Sequence, residues 1–369
     1  MHVPDGFIDA PVSVAAGAVA VGAVAVSLRG ARKELDERTA PLAGLVAAFI
    51  FAVQMLNFPV AAGTSGHLLG GALAAILVGP FTGVLCVSVV LLMQGILFAD
   101  GGLTALGVNI TVMGVVTVVV AYAIFRGLLK VLPGTRRSVT VAAFAGALVS
   151  VPASAAAFTA LYAVGGTTDV PLGKVLTAMV GVHVLIGIGE AAITAATVGA
   201  VLAVRPDLVH GAAGLTTPLK LRVGGELVDA PAAAPAATPA ATRAARPGTA
   251  LWATGLATAL VLAGIVSFYA STSPDGLEKV AADQGIDAKV KEDEEKPEGE
   301  RAYEHASAGS PLADYTVKDV DDERLSGGLA GTIGVGATVA VGTGVFWAVR
   351  RRRDDARAEQ PVSPGQPAA

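Results

Sequence analysis

The sequence predicts an all-α polytopic membrane protein, with a seven-span bundle followed by a two-span C-terminal unit. Of its 369 residues, 53% are hydrophobic and only 15% are charged, whereas ordinary soluble domains carry about 25% charged residues. Glycine contributes 45 residues, and such small side chains let transmembrane helices approach one another closely. The apolar residues are also gathered into long runs, which a soluble core does not require.

The apolar runs divide the chain into nine candidate spans. A helix needs about 20 mostly apolar residues to cross a bilayer. The third run is short and ends at Gly79 and Pro80, so it is open to being bent or partly re-entrant. The predicted spans are 11–28, 42–60, 67–80, 82–99, 103–126, 138–164, 174–204, 249–270 and 327–349.

Basic residues set the orientation of these spans, because loops rich in Lys and Arg stay in the cytoplasm. Basic clusters follow the first, fifth, seventh and ninth spans, so an extracytoplasmic N-terminus and a cytoplasmic C-terminus satisfy all four. The acidic segment 273–325, with 16 Asp and Glu against 7 Lys and Arg, then lies outside the cell. The clusters are Arg29, Arg32, Lys33 and Arg38; Arg126, Lys130, Arg136 and Arg137; Arg205; and Arg350 to Arg353.

Composition also predicts the division into units. Residues 1–205 form the seven-span unit, and 206–248 form a cytoplasmic linker rich in Ala and Pro. Its stretch from Ala230 to Pro247 has a semi-rigid composition that is not expected to fold by itself. Residues 249–350 form the two-span unit, with an acidic extracytoplasmic loop over 271–326. The polar tail 351–369 is expected to be disordered.

The first two residues carry the most distinctive chemistry. The segment before the first span lacks the basic residues of a signal peptide, so we expect Met1 to be retained. Its free amine, the following amide nitrogen and the imidazole of His2 can form two fused chelate rings. A fourth nitrogen would complete a square, which suits Ni(II) or Cu(II). The alternative is that His2 is only a polar residue near a terminus.

Two further histidines lie in or beside predicted spans, where ionisable side chains are costly. His67 stands among glycines on the same side as the N-terminus, and it is either a metal ligand or a satisfied interfacial histidine. His183 and Glu190 are seven residues apart and share a helix face. They could relay protons, bind a cation or form a hydrogen-bonded packing pair.

Other polar residues and some missing motifs narrow the function. Asp100 lies in an outer loop. Asn57, Gln94 and Asn109 lie near outer helix ends, where they could orient a ligand, cap a helix or form an interhelical hydrogen bond. The single Cys86 lies in an apolar run and is expected to be a small filler. The sequence has neither a His-Glu-x-x-His zinc motif nor a phosphate-binding P-loop, so energy must come from partners or from an ion gradient.

Five separated motifs resemble the CbiM/NikM family, the substrate-binding component of cobalt/nickel energy-coupling-factor (ECF) transporters. The resemblance covers about residues 1–205. A shorter motif, Ser273 to Glu278, resembles the opening of the companion small component (CbiN/NikN, or PDGLE), here fused behind the linker. The five motifs are Met1 to Asp9, Asn57 to Val60, Gly63 to Gly70, Gln94 to Gly102 and His183 to Glu190.

The resemblance implies a site and a set of partners. The N-terminal segment would insert into the bundle, and Met1, His2 and His67 would bind the metal in one plane, with Asp5 and Asp9 as supports. ATPase subunits of the CbiO/NikO type and a coupling subunit of the CbiQ/NikQ type would drive release inward. The sequence departs from the family in the acidic stretch 291–300, which is either a solvated loop or a weak cation-concentrating surface.

The resulting expectation is a non-enzymatic importer component of the cell membrane that carries Ni²⁺ or Co²⁺ as its substrate, needs no cofactor and binds no nucleic acid. The planar donor set leans towards nickel but leaves cobalt open. The alternative is a stand-alone secondary transporter or channel that uses His183 and Glu190 for coupling. A metalloenzyme or sensor is disfavoured, because four in-plane protein ligands leave no open position for a substrate.

Overall fold

The computed structural model is mostly helical. It describes residues 1–36, 39–61, 64–168, 170–215, 220–223, 226–229, 247–271, 273–283 and 305–358. Its helices are α1 Ala10–Glu34, α2 Thr39–Gln54, α3 Gly71–Val78, α4 Pro80–Leu97, α5 Leu106–Val131, α6 Arg136–Gly165, α7 Leu172–Val204, α8 Pro247–Gly264, α9 Gly276–Asp283 and α10 Glu323–Ala358. Two short hairpins pair β1 Phe58–Ala61 with β2 Thr64–Gly66, and β3 Lys220–Val223 with β4 Glu226–Asp229.

The predicted class of polytopic helical membrane protein is confirmed. Within the described residues, seven helices are long and apolar enough to cross a bilayer, namely α1, α4, α5, α6, α7, α8 and α10. Large apolar side chains face outwards along them, as on α1, where Val14 is 72% exposed. Arg38, residues 230–246, the acidic stretch 291–300 and the tail from residue 359 lie outside the described residues.

The second predicted span, 42–60, is wrong at its C-terminal end. Helix α2 ends at Gln54, and strand β1 begins at Phe58. Pro59 prevents the helix from continuing through 58–60, because its ring removes a backbone donor and disfavours helical geometry at the residue before it. At sixteen residues, α2 is shorter than the helices counted above as long enough to cross.

The third predicted span, 67–80, is a broken segment and not a plain helix, in agreement with the alternative that Gly79 and Pro80 left open. Only the eight residues of α3 are helical, which is about 12 Å of rise against a hydrocarbon core of about 30 Å. Glycines with positive φ stand at both ends of α3, Gly70 at 79° and Gly79 at 97°, and α4 starts at Pro80. His67 therefore lies in an irregular segment before a short buried helix. Backbone of this kind at membrane depth is tolerated only when protein surrounds it.

The helices bury two main apolar cores. One joins α2, α3 and α4 to α8 and α10, so the C-terminal pair packs directly on the bundle. The other lies between α5, α6, α7 and the segment before α1. That N-terminal segment is inserted as expected, since Met1 is 3% exposed and Val3 is fully buried. Phe7 packs on Phe158 and Tyr162, with ring centroids about 6 Å apart.

Candidate metal site at the N-terminus

Three nitrogen-bearing groups predicted as ligands meet beside the inserted N-terminus. The Met1 amine lies 2.8 Å from Nε2 of His67. The imidazoles of His2 and His67 stack, with centroids 4.9 Å apart and planes 13° from parallel. His67 comes from the loop before α3, 66 residues along the chain from the amine that it contacts. The structure thus places Met1, His2 and His67 together.

The hydrogen bonds of His67 identify the nitrogen that faces the site. Nδ1 lies 2.9 Å from the carbonyl oxygen of Leu68, so Nδ1 carries the proton and donates it. Nε2 then holds a lone pair directed at the Met1 amine, which as an ammonium can only donate. A neutral imidazole with a bare Nε2 is the form that binds a transition metal.

Two side chains contact His2, and both were predicted as supports. Nδ1 of His2 lies 3.0 Å from a carboxylate oxygen of Asp100, and Nε2 lies 3.2 Å from Oε1 of Gln94. Nδ1 is the nitrogen that can close a six-membered chelate ring with the amide of His2. Asp100 therefore holds the ring atom that a chelated metal would need.

Asp100 is itself held by the C-terminal unit. The hydroxyl of Tyr315 donates to its second oxygen at 2.6 Å, and the Tyr315 ring stacks on Phe98 at 4.8 Å. Burial raises the pKa of the Asp100 carboxyl, but the neighbouring His2 and the bond from Tyr315 outweigh that effect and hold the pKa well below its usual range. Asp100 is thus ionised at neutral pH. Ala99, just before it, has the uncommon φ of 53°.

Asp275 is a contact that the sequence reasoning missed. Its carboxylate lies 3.0 Å from the Met1 amine, and its side chain is only 12% exposed. Burial raises the pKa of Asp275, but the neighbouring N-terminal ammonium outweighs that effect, so the net pKa falls well below the usual value. The motif from Ser273 to Glu278 was the available signal, yet nothing in it specifies a contact with residue 1.

Asp5 and Asn109, also predicted as supports, hold the N-terminal segment rather than the nitrogens. Asn109 accepts from the Val3 amide at 2.8 Å and donates to the Val3 carbonyl at 3.1 Å. Asp5 accepts from the amide of Thr104 at 2.8 Å and from its hydroxyl. The Gly102 amide donates to the Val3 carbonyl at 2.9 Å. These bonds fix the depth at which Met1 and His2 lie.

The other two predicted supports have structural roles. Asp9 caps α1, because its side chain accepts from the Val12 amide at 2.9 Å, as expected of an N-cap aspartate. Asn57 lines the cavity beside the site, and its main-chain carbonyl oxygen accepts from the Ser271 amide at 2.7 Å. Neither side chain is hydrogen-bonded to the amine or to the two imidazoles within the described residues.

His183 and Glu190 do not form the polar pair that their spacing suggested. Nδ1 of His183 donates to the Met179 carbonyl at 2.7 Å, whereas Glu190 accepts from the amides of Leu69 and Gly70. Seven residues are two helical turns, a rise of about 10.5 Å, which explains why a shared face does not bring the side chains into contact. Glu190 instead bonds the loop that carries His67.

A cavity of about 1260 Å³ reaches the nitrogen cluster, and both units line it. His2, His67 and Asp100 come from the bundle, and Asp275 and Tyr315 come from the C-terminal unit. In the described part of the chain, no three His, Cys, Asp or Glu side chains converge as a metal site. A metal at this place would therefore depend on main-chain nitrogen as well as on the two imidazoles.

Comparison with known proteins gives the same division of the chain. Residues 2–208 match the family model described as CbiM, cobalt uptake substrate-specific transmembrane region, and residues 249–351 match the PDGLE domain. A protein of Haloquadratum walsbyi, provisionally named a metal transport protein, is 40% identical over 57% of this chain and 93% of its own length. A protein of Archaeoglobus fulgidus, provisionally named a fused nickel transport protein NikMN, is 39% identical over 57% of this chain and 68% of its own.

A solved structure titled as a truncated transition metal transporter is 28% identical over 55% of this chain and 99% of its own, with a TM-score of 0.49. The CbiM model covers more than half of the chain, and the Haloquadratum relative is matched over nearly its whole length. The chain is therefore a multi-pass, metal-transporting member of the CbiM family with a PDGLE domain fused behind it.

Proposed function

We propose that this chain captures Ni²⁺ or Co²⁺ as the substrate-binding component of an ATP-driven importer of the ECF type. The metal would be bound by the Met1 amine, the amide and imidazole of His2, and the imidazole of His67. One observation carries the proposal: the buried Met1 amine lies 2.8 Å from Nε2 of His67, with the ring of His2 stacked alongside.

The chemistry of these donors supports a transition metal. Amine, amide and imidazole nitrogens suit nickel, cobalt and copper, whereas magnesium and calcium prefer oxygen ligands. Four nitrogens in a plane favour nickel among the two family substrates. The relatives named above as metal and nickel transport proteins support the same substrate class.

Binding would exchange protons for metal. In the structure the amine is paired with Asp275 and His67, and Nδ1 of His2 is paired with Asp100. Each of these contacts uses a hydrogen on nitrogen. To bind a metal, the ammonium must lose one proton, Nδ1 of His2 must give up its hydrogen, and the amide of His2 must lose its proton. The donors are thus already close together, and each is held by a protein contact.

The charge pattern supports import as the direction of transport. The basic clusters favour an extracytoplasmic N-terminus, which would expose the cavity to external metal. The sequence carries no P-loop, so ATPase subunits and a coupling membrane subunit would supply the energy.

Uptake of radioactive nickel into cells that lack other nickel importers tests this function. We expect uptake when the chain is expressed with its ATPase and coupling subunits, and loss of uptake when the ATPase carries an inactive nucleotide site. Unchanged uptake without any ATPase would overturn the ATP-driven assignment and favour a stand-alone transporter.

A further inference from the structure

Glu190 of α7 is a fully buried carboxylate with an unexpected pair of partners. Its two oxygens accept from the backbone amides of Leu69 at 2.7 Å and Gly70 at 3.0 Å. Neither oxygen contacts a Lys, Arg or His side chain within the described residues. A buried carboxylate held only by main-chain donors is costly to retain, so its position calls for an explanation.

The Leu69 amide belongs to the same peptide group as the Leu68 carbonyl. That carbonyl accepts the Nδ1 hydrogen of His67 at 2.9 Å. The two bonds therefore form one chain that runs from Glu190, through the Leu68–Leu69 peptide group, to the His67 ring. The far nitrogen of that ring, Nε2, faces the Met1 amine at 2.8 Å.

Metal-binding histidines commonly donate their second ring nitrogen to a carboxylate or to a carbonyl, which fixes the tautomer and raises the basicity of the metal-binding nitrogen. Here His67 has both kinds of partner in series, first the carbonyl of Leu68 and then, across the peptide group, the carboxylate of Glu190. A carboxylate that accepts from one end of a peptide group polarises it, and this strengthens the bond accepted by the carbonyl at the other end. The interposed peptide carries the effect of Glu190 to His67 without direct contact.

The surrounding bonds show that the segment is held as a unit. The Leu69 carbonyl accepts from the side-chain amide of Gln54 at 2.9 Å, and Gly70 adopts a left-handed φ of 79° against Ile50. Glu190 also lies at the N-terminus of α3, where a negative charge is favourable. Loss of its charge would loosen the peptide that orients His67.

We propose that Glu190 is a positioning residue for the metal site, acting on His67 through the Leu68–Leu69 peptide group. The inference rests on the proposed role of His67 as a ligand. It replaces the expectation that Glu190 pairs with His183, and it assigns to α7 a role in setting the donor strength of the site.

The test compares Glu190→Gln with Thr194→Val in the full-length protein in detergent. Gln has nearly the same shape as Glu, and its side-chain oxygen can accept from one of the two backbone amides. Its side-chain NH2 group is a donor, so it cannot accept from the other amide. Thr194 lies one turn further along α7, is fully buried, and its hydroxyl has no hydrogen-bond partner in the described part of the chain, so its removal controls for buried polar loss on the same helix.

We expect Glu190→Gln to weaken Ni²⁺ binding about 10- to 100-fold, as is typical when an outer partner of a ligand is lost. Its nickel d–d absorption bands should also shift, and Thr194→Val should bind as the wild type does. Wild-type affinity and bands in Glu190→Gln would overturn the proposal. His67→Ala distinguishes the two possible failures. If His67→Ala loses nickel while Glu190→Gln binds as the wild type does, only the role of Glu190 is wrong. If His67→Ala binds nickel normally, the proposed site itself is wrong.

A measurement on the unaltered protein keeps the proposal open to disproof if Glu190→Gln does not fold. The chain has five histidines, so ¹⁵N-histidine labelling gives five imidazoles, and His67→Ala assigns one of them. We expect metal-free His67 to carry its hydrogen on Nδ1, with Nε2 bare. The opposite tautomer would break the chain of hydrogen bonds and overturn the inference.

Discussion

At the scale of single residues, two nitrogens of the proposed site, the Met1 amine and Nδ1 of His2, already have carboxylate partners that a metal must replace. Asp100 holds Nδ1 of His2 at 3.0 Å, and Asp275 holds the Met1 amine at the same distance. His67 differs, because its Nδ1 bond to Leu68 leaves Nε2 bare. The three donors therefore lie close together, but only Nε2 of His67 can bind a metal without first losing a hydrogen.

Replacing either imidazole should remove the site. We expect His2→Ala and His67→Ala each to abolish measurable Ni²⁺ binding by equilibrium dialysis, while the protein still inserts in the membrane. His210→Ala is the matched control, since His210 packs against Tyr122, away from the cluster. Unimpaired nickel binding in either His2→Ala or His67→Ala would contradict the site assignment.

Moving the amine should be as damaging as removing a side chain. One glycine added before Met1 keeps both imidazoles but displaces the terminal nitrogen from its place 2.8 Å from His67. We expect loss of nickel from the purified protein by metal analysis, and no loss when the glycine is added after Ala369. Full metal content in the N-terminally extended protein would show that the amine is not a ligand.

The pH dependence of binding has a defined sign. Metal binds the deprotonated forms of the amine and of the amide, so affinity should rise with pH. If two protons leave, we expect an increase of up to about 100-fold per pH unit between pH 6 and 7. Calorimetry in buffers of different ionisation enthalpy counts the protons released. An affinity that does not change over this range would contradict amine and amide ligation.

At the scale of secondary-structure elements, the site depends on how the segment before α1 is seated. Gly102 lies directly against that segment: an added Cβ would come 2.3 Å from the Asp5 amide nitrogen and 2.6 Å from the Pro4 carbonyl carbon. No side chain fits there unless the backbone moves. The glycine therefore sets how closely the N-terminus approaches the loop that carries Asp100.

Gly102→Ala should push the N-terminal segment out of register. Overpacking of this kind costs about 1–3 kcal/mol. We expect a lower melting temperature and weaker nickel binding, both measured on purified protein. Gly173→Ala on α7 is the control, because an added Cβ there meets no atom within 4 Å. Equal behaviour of the two variants would show that the segment tolerates displacement.

The sequence predicted the long elements well and the short ones poorly. Hydropathy located α1 and α4 to α8 because each is a continuous apolar run. It placed His67 at the start of a span, whereas that residue lies in a loop before the eight-residue α3. Apolarity cannot distinguish a spanning helix from a buried, broken one, since both exclude polar side chains. Only the glycines and prolines beside α3 hinted at the break.

Contacts within the site were less accessible still. The candidate ligands at positions 1, 2 and 67 were proposed from their chemistry and from the family motifs. The bonds from Glu190 and Asp275 could not, because backbone amides and a terminal amine are present in every protein and leave no mark in a sequence. These partners are defined only when the fold brings distant segments together.

At the scale of the whole molecule, the PDGLE unit closes over the site by two segments. The Ser65 amide donates to the Pro274 carbonyl at 2.8 Å, beside Asp275. On the other side, the Asp314 amide donates to the Phe98 carbonyl at 2.8 Å, beside the bond from Tyr315 to Asp100. Both units thus contribute to the surroundings of the proposed metal-binding nitrogens, so a change in the PDGLE unit should alter metal binding by the bundle.

Asp275→Asn tests this coupling. In the metal-free protein it removes the charge partner of a buried ammonium, which should cost about 2 kcal/mol of stability. A metal-bound amine is neutral and no longer needs the carboxylate, so the penalty should shrink when nickel is bound. We therefore expect a lower melting temperature than wild type without metal, and a larger increase on adding Ni²⁺.

Asp283→Asn is the matched control for that experiment. Asp283 lies in the same unit and pairs with Lys279, but its side chain is 53% exposed, and exposed ion pairs contribute little to stability. We expect its melting temperature to match wild type with and without nickel. If Asp275→Asn lowered the melting temperature equally in both conditions, Asp275 would stabilise the PDGLE unit without competing for the amine, and metal binding would not need to break that ion pair.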